Sequence, residues 1–178
     1  WGIWGTGVIA AAFAADMAAS DGMRVAAICS RAPDTAEAFR NRIGADAAFA
    51  DPAEFLASAG IDAVYIATPS ALHVPQALQA IAAGKPCLIE KPLSLDADGI
   101  AAAASAENLF AMEALWSRFL PAIQAAKRHI DNGRIGRVRR IASDLSYSRA
   151  YDPKSRFFDP ALGGGAAFAL GVYPRSLA

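Results

Sequence analysis

Three short runs gather the side chains that could do chemistry. "IWGTGVIA" carries the spacing Gly5-x-Gly7-x-x-Ala10. After a strand and before a helix, that spacing is a phosphate-binding turn. Gly5 permits the tight turn, Gly7 lets the backbone approach a pyrophosphate, and the small Ala10 packs the helix close to the strand. Thr6 and Val8 lie in the same loop. The helix N-terminus then offers unsatisfied N–H groups and the positive end of its dipole. "LIEKPLSL" (88–95) sets an acid, Glu90, and an ammonium, Lys91, against Pro92. The proline holds Lys91 in extended or turn geometry. Taken alone, this pair is a site at a cleft edge or an ordinary ion pair. "GGGAAFALGVYP" (163–174) follows three glycines with an apolar run whose one titratable group is Tyr173. It is either a hinge before a core helix or the edge of an active site.

The elements that must position these residues follow from pattern. Short apolar runs at 1–4, 24–29, 47–50, 62–67, 86–89 and 109–113 alternate with Ala-rich helical ones near 8–19, 33–43, 52–59, 71–83 and 96–107. Continuous apolar strands separated by helices indicate a parallel sheet covered on both faces. Pro33 and Pro52 sit near helix starts, and Gly22, Gly60 and Gly84 just past helical runs, where a cap favours positive φ. From about residue 118 the character changes. A helix over 121–132 precedes "GRVRRIASDLSYSRAY" (136–151), whose partial alternation predicts a long strand of an antiparallel sheet. The expected organisation is residues 1–118 as a dinucleotide-binding domain and 119–178 as the beginning of a second domain.

Bulk composition excludes several alternatives. With 54% hydrophobic and 19% charged residues, the 178-residue chain can bury a core. Its net charge of zero leaves no electrostatic footprint for nucleic acid or an anionic membrane. Arg134, Arg137, Arg139 and Arg140 form a local basic cluster without interleaved aromatics, which reads as a solvated surface. Cys29 and Cys87 stand in apolar runs and read as small buried hydrophobes in a reducing compartment, the cytoplasm. Two histidines without a Cys/His cluster argue against a metal site. The opening run has no basic residue before Arg24 and contains Asp16, unlike a signal peptide or membrane span. The absence of an initiating methionine leaves the true N-terminus open.

The end of the second strand selects the dinucleotide. An NAD site places Asp or Glu there for the ribose 2′-hydroxyl. This chain has Ser30 and Arg31. A hydroxyl and a guanidinium suit a 2′-phosphate, so NADP is favoured, with NAD the alternative.

The loop Gly5-x-Gly7-x-x-Ala10, Thr68-Pro69, His73, Gly84-Lys85, Glu90-Lys91-Pro92 and Gly163-Gly164-Gly165 together resemble the Gfo/Idh/MocA oxidoreductases. "MEALWSRFLPAI" (112–123) and "GVYP" (171–174) are most similar to the branch of dimeric dihydrodiol and NADP-dependent D-xylose dehydrogenases. The resemblance implies a Rossmann domain, a doubly wound parallel sheet, followed by a mostly antiparallel α/β substrate domain that is incomplete here. It implies hydride transfer between NADP(H) and a CH–OH group of a sugar, polyol or dihydrodiol. A homodimer through the C-terminal sheet is implied when the chain is full length. Gly5, Thr6, Gly7 and Val8 would hold the pyrophosphate, and Ser30 and Arg31 the 2′-phosphate. Thr68, Pro69 and His73 would line the nicotinamide half, and Glu90 would face the ribose. Lys91 would stand beside the reacting carbon, its bond to Pro92 cis. Trp116 and Arg118 would border the substrate, Tyr173 would be the general acid/base, and Gly163–Gly165 would let the chain close over the nicotinamide. A phenol with a pKa of about 10 is a poor base at neutral pH, and an ammonium such as Lys91 corrects this by stabilising phenolate.

Two departures from the family pattern stand out. The stretch between Pro92 and "MEALW" is about one helical turn short. An Asp usually four residues before the Tyr is Ala169 here. On one helix these two positions would share a face. The loss of that carboxylate is expected to impair turnover. It also supports an alternative reading as a catalytically weak NADP-binding relative, a sensor or partner subunit.

Overall fold

The computed structural model describes residues 1–93, 97–155, 157–162 and 164–177, with the side chains of residues 97 and 168 excluded. The chain divides into two compact units, Trp1–Glu113 and Ala114–Ala178.

The first unit alternates strand and helix. It runs β1 (Gly2–Trp4), α1 (Val8–Ala18), β2 (Ala27–Cys29), α2 (Pro33–Ile43), β3 (Ala47–Phe49), α3 (Pro52–Ala57), β4 (Val64–Ile66), α4 (His73–Ala82), β5 (Cys87–Ile89), α5 (Ala97–Ala106) and β6 (Ala111–Glu113). All strands pair in parallel in the order β3-β2-β1-β4-β5-β6. The chain winds outward from β1 to β3, then returns to lay β4 beside β1, with Ile3 opposite both Ile28 and Tyr65. The sheet is therefore doubly wound, and strand order reverses at β1/β4. Loops at the C-terminal ends of the strands diverge there and leave a crevice.

Local sequence explains the elements. β1, β2 and β4 are buried at every residue, as a parallel strand covered on both faces must be. Helix α2 starts with Pro33 and Asp34, carries Arg40 and Arg42 in its last turn, and stops at Gly44, which has φ of 73°. Each choice matches the helix dipole or the cap geometry. Asp51 caps α3, its carboxylate accepting from the Ala53 N–H at 2.6 Å. Gly22 and Gly84 adopt positive φ as expected, whereas Gly60 does not, because α3 already ends at Ser58 in extended conformation. Phe55, Ile61, Val64, Ile66, Ile81 and Ile89 form the buried centre. Each such side chain contributes roughly 1.5–3 kcal/mol by leaving water.

The second unit has 3-10 turns at Trp116–Phe119 and Pro160–Leu162, with α6 (Pro121–Asp131), α7 (Ala166–Ala169) and α8 (Val172–Ser176). The strand expected over 136–151 does not form: that stretch has no regular secondary structure and is almost wholly exposed. Its alternation is real, but a strand exists only through a ladder to a neighbour. Among the described residues of this unit there is no other strand to pair with. Also among the described residues, no helix is long and apolar enough to cross a membrane. No group of three potential metal ligands occurs there either.

Candidate active site

At the β1–α1 turn two glycines serve different ends. Gly5 has φ of 118°, and a Cβ on it would lie 2.7 Å from the Ala67 carbonyl oxygen. Its N–H donates to the Cys29 carbonyl at 2.9 Å. The turn is thus threaded between the ends of β2 and β4, where a side chain cannot fit. Gly7 is the N-cap of α1, in extended conformation and with no side-chain cap. A Cβ on Gly7 would meet nothing within 4 Å. Open space therefore fronts the uncapped N–H groups of an 11-residue helix with no acid in its first turn. Ala10 is fully buried against the sheet, and Thr6 is half-buried. Val8 stands 90% exposed at the mouth. This cradle fits the pyrophosphate of a dinucleotide on size and charge. Ser30 and Arg31 follow β2, Ser30 half-buried with its N–H donating to the Phe49 carbonyl at 3.1 Å, and Arg31 exposed.

The loops after β4 and β5 are tied together beneath the surface. Thr68 donates its hydroxyl to Gln76 Oε1 at 2.5 Å. Pro69 is half-buried beside it. His73, expected along the nicotinamide half, is only 1% exposed. Its Nδ1 lies 2.9 Å from the Pro92 carbonyl oxygen and its Nε2 2.9 Å from that of Thr68. Both ring nitrogens are turned to backbone, so the imidazole bridges the two loops from inside. Glu90 accepts at Oε1 from the Tyr65 hydroxyl (2.7 Å) and at Oε2 from the Lys91 N–H (3.1 Å). The Lys91–Pro92 peptide is cis. Leu93 donates its N–H to Glu113 Oε1 at 2.8 Å.

Tyr65, Gln76 and Glu113 were not singled out by sequence. The available signal was slight: a single hydroxyl inside the apolar strand "VYI", and a lone acid ending the run "LFAME". Tyr65 is 2% exposed and stacks on Phe13, centroids 3.9 Å apart. Burial first, then the Glu90 carboxylate, push its phenol pKa far above the ordinary value.

In the second unit Trp116 donates its indole N–H to Tyr173 Oη at 3.0 Å, with the rings edge to face. Arg118 is exposed in the same 3-10 turn, its carbonyl accepting from Gln124 at 3.4 Å. Gly163 lies outside the described residues. Gly165 has φ of 131° and precedes α7. The expected shared face of Ala169 and Tyr173 is not formed by one helix. α7 ends at Ala169, α8 begins at Val172, and the Tyr173 N–H bonds the Leu170 carbonyl at 3.1 Å. The ladder slips at Gly171, where even a methyl would lie 2.2 Å from the Ala167 carbonyl oxygen.

Known proteins place these features in context. The family model described as "Oxidoreductase family, NAD-binding Rossmann fold" (GFO/IDH/MocA) matches residues 1–113. The model for the GFO/IDH/MocA C-terminal domain matches residues 123–178. The mouse trans-1,2-dihydrobenzene-1,2-diol dehydrogenase is 32% identical over 97% of this chain and 53% of its own length. The D-xylose 1-dehydrogenase (NADP(+)) of Hypocrea jecorina is 34% identical over 98% of this chain and 50% of its own. A scyllo-inositol dehydrogenase from Lactobacillus casei, solved with NAD(H) and scyllo-inositol, superposes with a TM-score of 0.69. It is 29% identical over 76% of this chain and 41% of that one. The chain spans about half the length of the curated relatives it matches.

Proposed function

Because the chain belongs to the GFO/IDH/MocA oxidoreductase family, we propose that it is the dinucleotide-binding part, and the start of the substrate domain, of an NADP-dependent dehydrogenase. The reaction is hydride transfer between NADP(H) and a CH–OH group of a sugar, polyol or dihydrodiol. The observation that carries this reading is the β1–α1 turn: Gly5 filled by backbone, Gly7 facing open space before an uncapped helix. We take residues 1–118 as the cofactor domain and 119–178 as the start of the substrate domain, within a cytoplasmic homodimer. The named activities of the dihydrodiol and xylose dehydrogenases support this substrate class.

Gly5, Thr6, Gly7 and Val8 are assigned to the pyrophosphate, and Ser30 and Arg31 to the 2′-phosphate. Thr68 and Pro69 are assigned to the ribose–nicotinamide half, with His73 holding their loops. Bound there, the nicotinamide supplies the hydride acceptor. The protein's part is the proton. Tyr173 takes the substrate hydroxyl proton at Oη. The Lys91 ammonium is assigned to steady the alkoxide-like oxygen of the substrate. Trp116 and Arg118 border the substrate.

The test is NADP+ reduction with a panel of aldoses, polyols and dihydrodiols, paired with binding of NADP+ and NAD+. The expected outcome is turnover of at least one diol or aldose and tighter binding of NADP+. Arg31→Ala should weaken NADP+ about tenfold and leave NAD+ unchanged, the loss of one charge-assisted bond. Tighter NAD+ binding overturns the assignment of Ser30 and Arg31.

A further inference from the structure

Residues 90–93 leave the end of β5 and are held at each position. Glu90 receives the Tyr65 hydroxyl, Lys91 gives its N–H to Glu90, Pro92 has its carbonyl on His73, and Leu93 gives its N–H to Glu113. The holding groups come from β4, α4 and β6, three elements around the end of β5. Only one of these ties passes through a side chain that itself reaches Lys91. The Glu90 carboxylate spends one oxygen on Tyr65 and the other on the Lys91 backbone. A glutamate side chain left to itself samples several rotamers, and only some direct an oxygen back to the next residue's N–H. The Tyr65 hydroxyl removes that freedom. It is itself fixed, because its ring is 2% exposed in a sheet strand and stacked on Phe13 of α1.

We propose that Tyr65 is a positioning residue for Lys91, acting through the Glu90 carboxylate. The chain β4 → Tyr65 Oη → Glu90 → Lys91 N–H sets the backbone from which the Lys91 ammonium departs. In this arrangement Glu90 serves Lys91 first, rather than the dinucleotide. The proposal rests on the dehydrogenase reading for its effect on catalysis, but not for its effect on the loop.

The test is Tyr65→Phe, which removes one oxygen and keeps the ring stack. Hydrogen exchange is read amide by amide in protein without dinucleotide. The Lys91 amide should exchange about tenfold faster, while the Leu93 amide, held by Glu113, keeps its rate. In turnover kcat should fall about tenfold, with Kd for NADP+ within twofold of the parent. Unchanged exchange at Lys91 overturns the proposal. So does a rise in Kd for NADP+ that matches the loss in kcat/KM, which would make Glu90 a ligand of the dinucleotide. If Tyr65→Phe does not fold, Glu90→Gln reads the same link: its carbonyl still accepts from Tyr65, but its NH2 cannot accept from Lys91. A parent protein that binds no dinucleotide defeats the dehydrogenase reading alone, and the Lys91 amide still decides the positioning role.

Discussion

Tyr173 illustrates how a neighbour constrains a side chain's chemistry. Indole N–H can only donate, so Tyr173 Oη accepts from Trp116 and its own proton is directed elsewhere. A bond donated to a phenolic oxygen favours the phenolate. Trp116→Phe keeps an aromatic ring and removes the donor. It should lower kcat/KM about tenfold and move the rising limb of its pH profile to higher pH. A parallel loss at every pH would confine Trp116 to packing. Lys91 and Tyr173 stood out in the sequence as reactive side chains in otherwise apolar runs. Tyr65 and His73 were harder for a physical reason. Tyrosine in an apolar strand counts as core by hydropathy, and nothing local says that its hydroxyl meets Glu90, 25 residues away. His73 was legible as a polar residue near the site, but not as one whose two nitrogens face backbone.

At the scale of elements, the β1–α1 turn was the most readable feature, since each glycine answers a local demand. Those demands differ, and so should the substitutions. Gly5→Ala must adopt a φ near 118° and press a methyl against Ala67. It should cost on the order of 2–3 kcal/mol, seen as a lower urea midpoint with an unchanged slope. Stability within 0.5 kcal/mol of the parent would contradict the turn geometry described. The βαβ rhythm was equally legible, because buried parallel strands and punctuated helices follow from nearby residues. The strand expected over 136–151 and the single helix expected through 169–173 were not. The first needs a ladder partner that alternation cannot supply, and the second breaks where backbone packing at Gly171 excludes even a methyl.

For the molecule as a whole, the doubly wound sheet gathers residues far apart in sequence at one edge and buries both cysteines within its strands, Cys29 in β2 and Cys87 in β5. Burial raises the Cys29 thiol to about 12, with Asp51 adding to the shift, and the Cys87 thiol to about 11. The folded protein therefore keeps both protons to higher pH than the unfolded chain, whose thiols titrate near 8.5. Their contribution to stability is complete below that value and is lost as pH rises toward 11–12. Urea unfolding should show stability falling between pH 8.5 and 10.5, with a shallower fall in the Cys29→Ala/Cys87→Ala variant. An identical slope in both would contradict the sealed environment. The central claim, that the Gly5–Gly7 turn holds a dinucleotide, is tested most directly by calorimetric titration of NADP+ into the parent and Gly7→Val. A side chain at Gly7 enters open space, so folding should be unaffected. The expected result is saturable binding weakened at least about tenfold by the valine; no saturable binding, or equal affinity in both proteins, would contradict it.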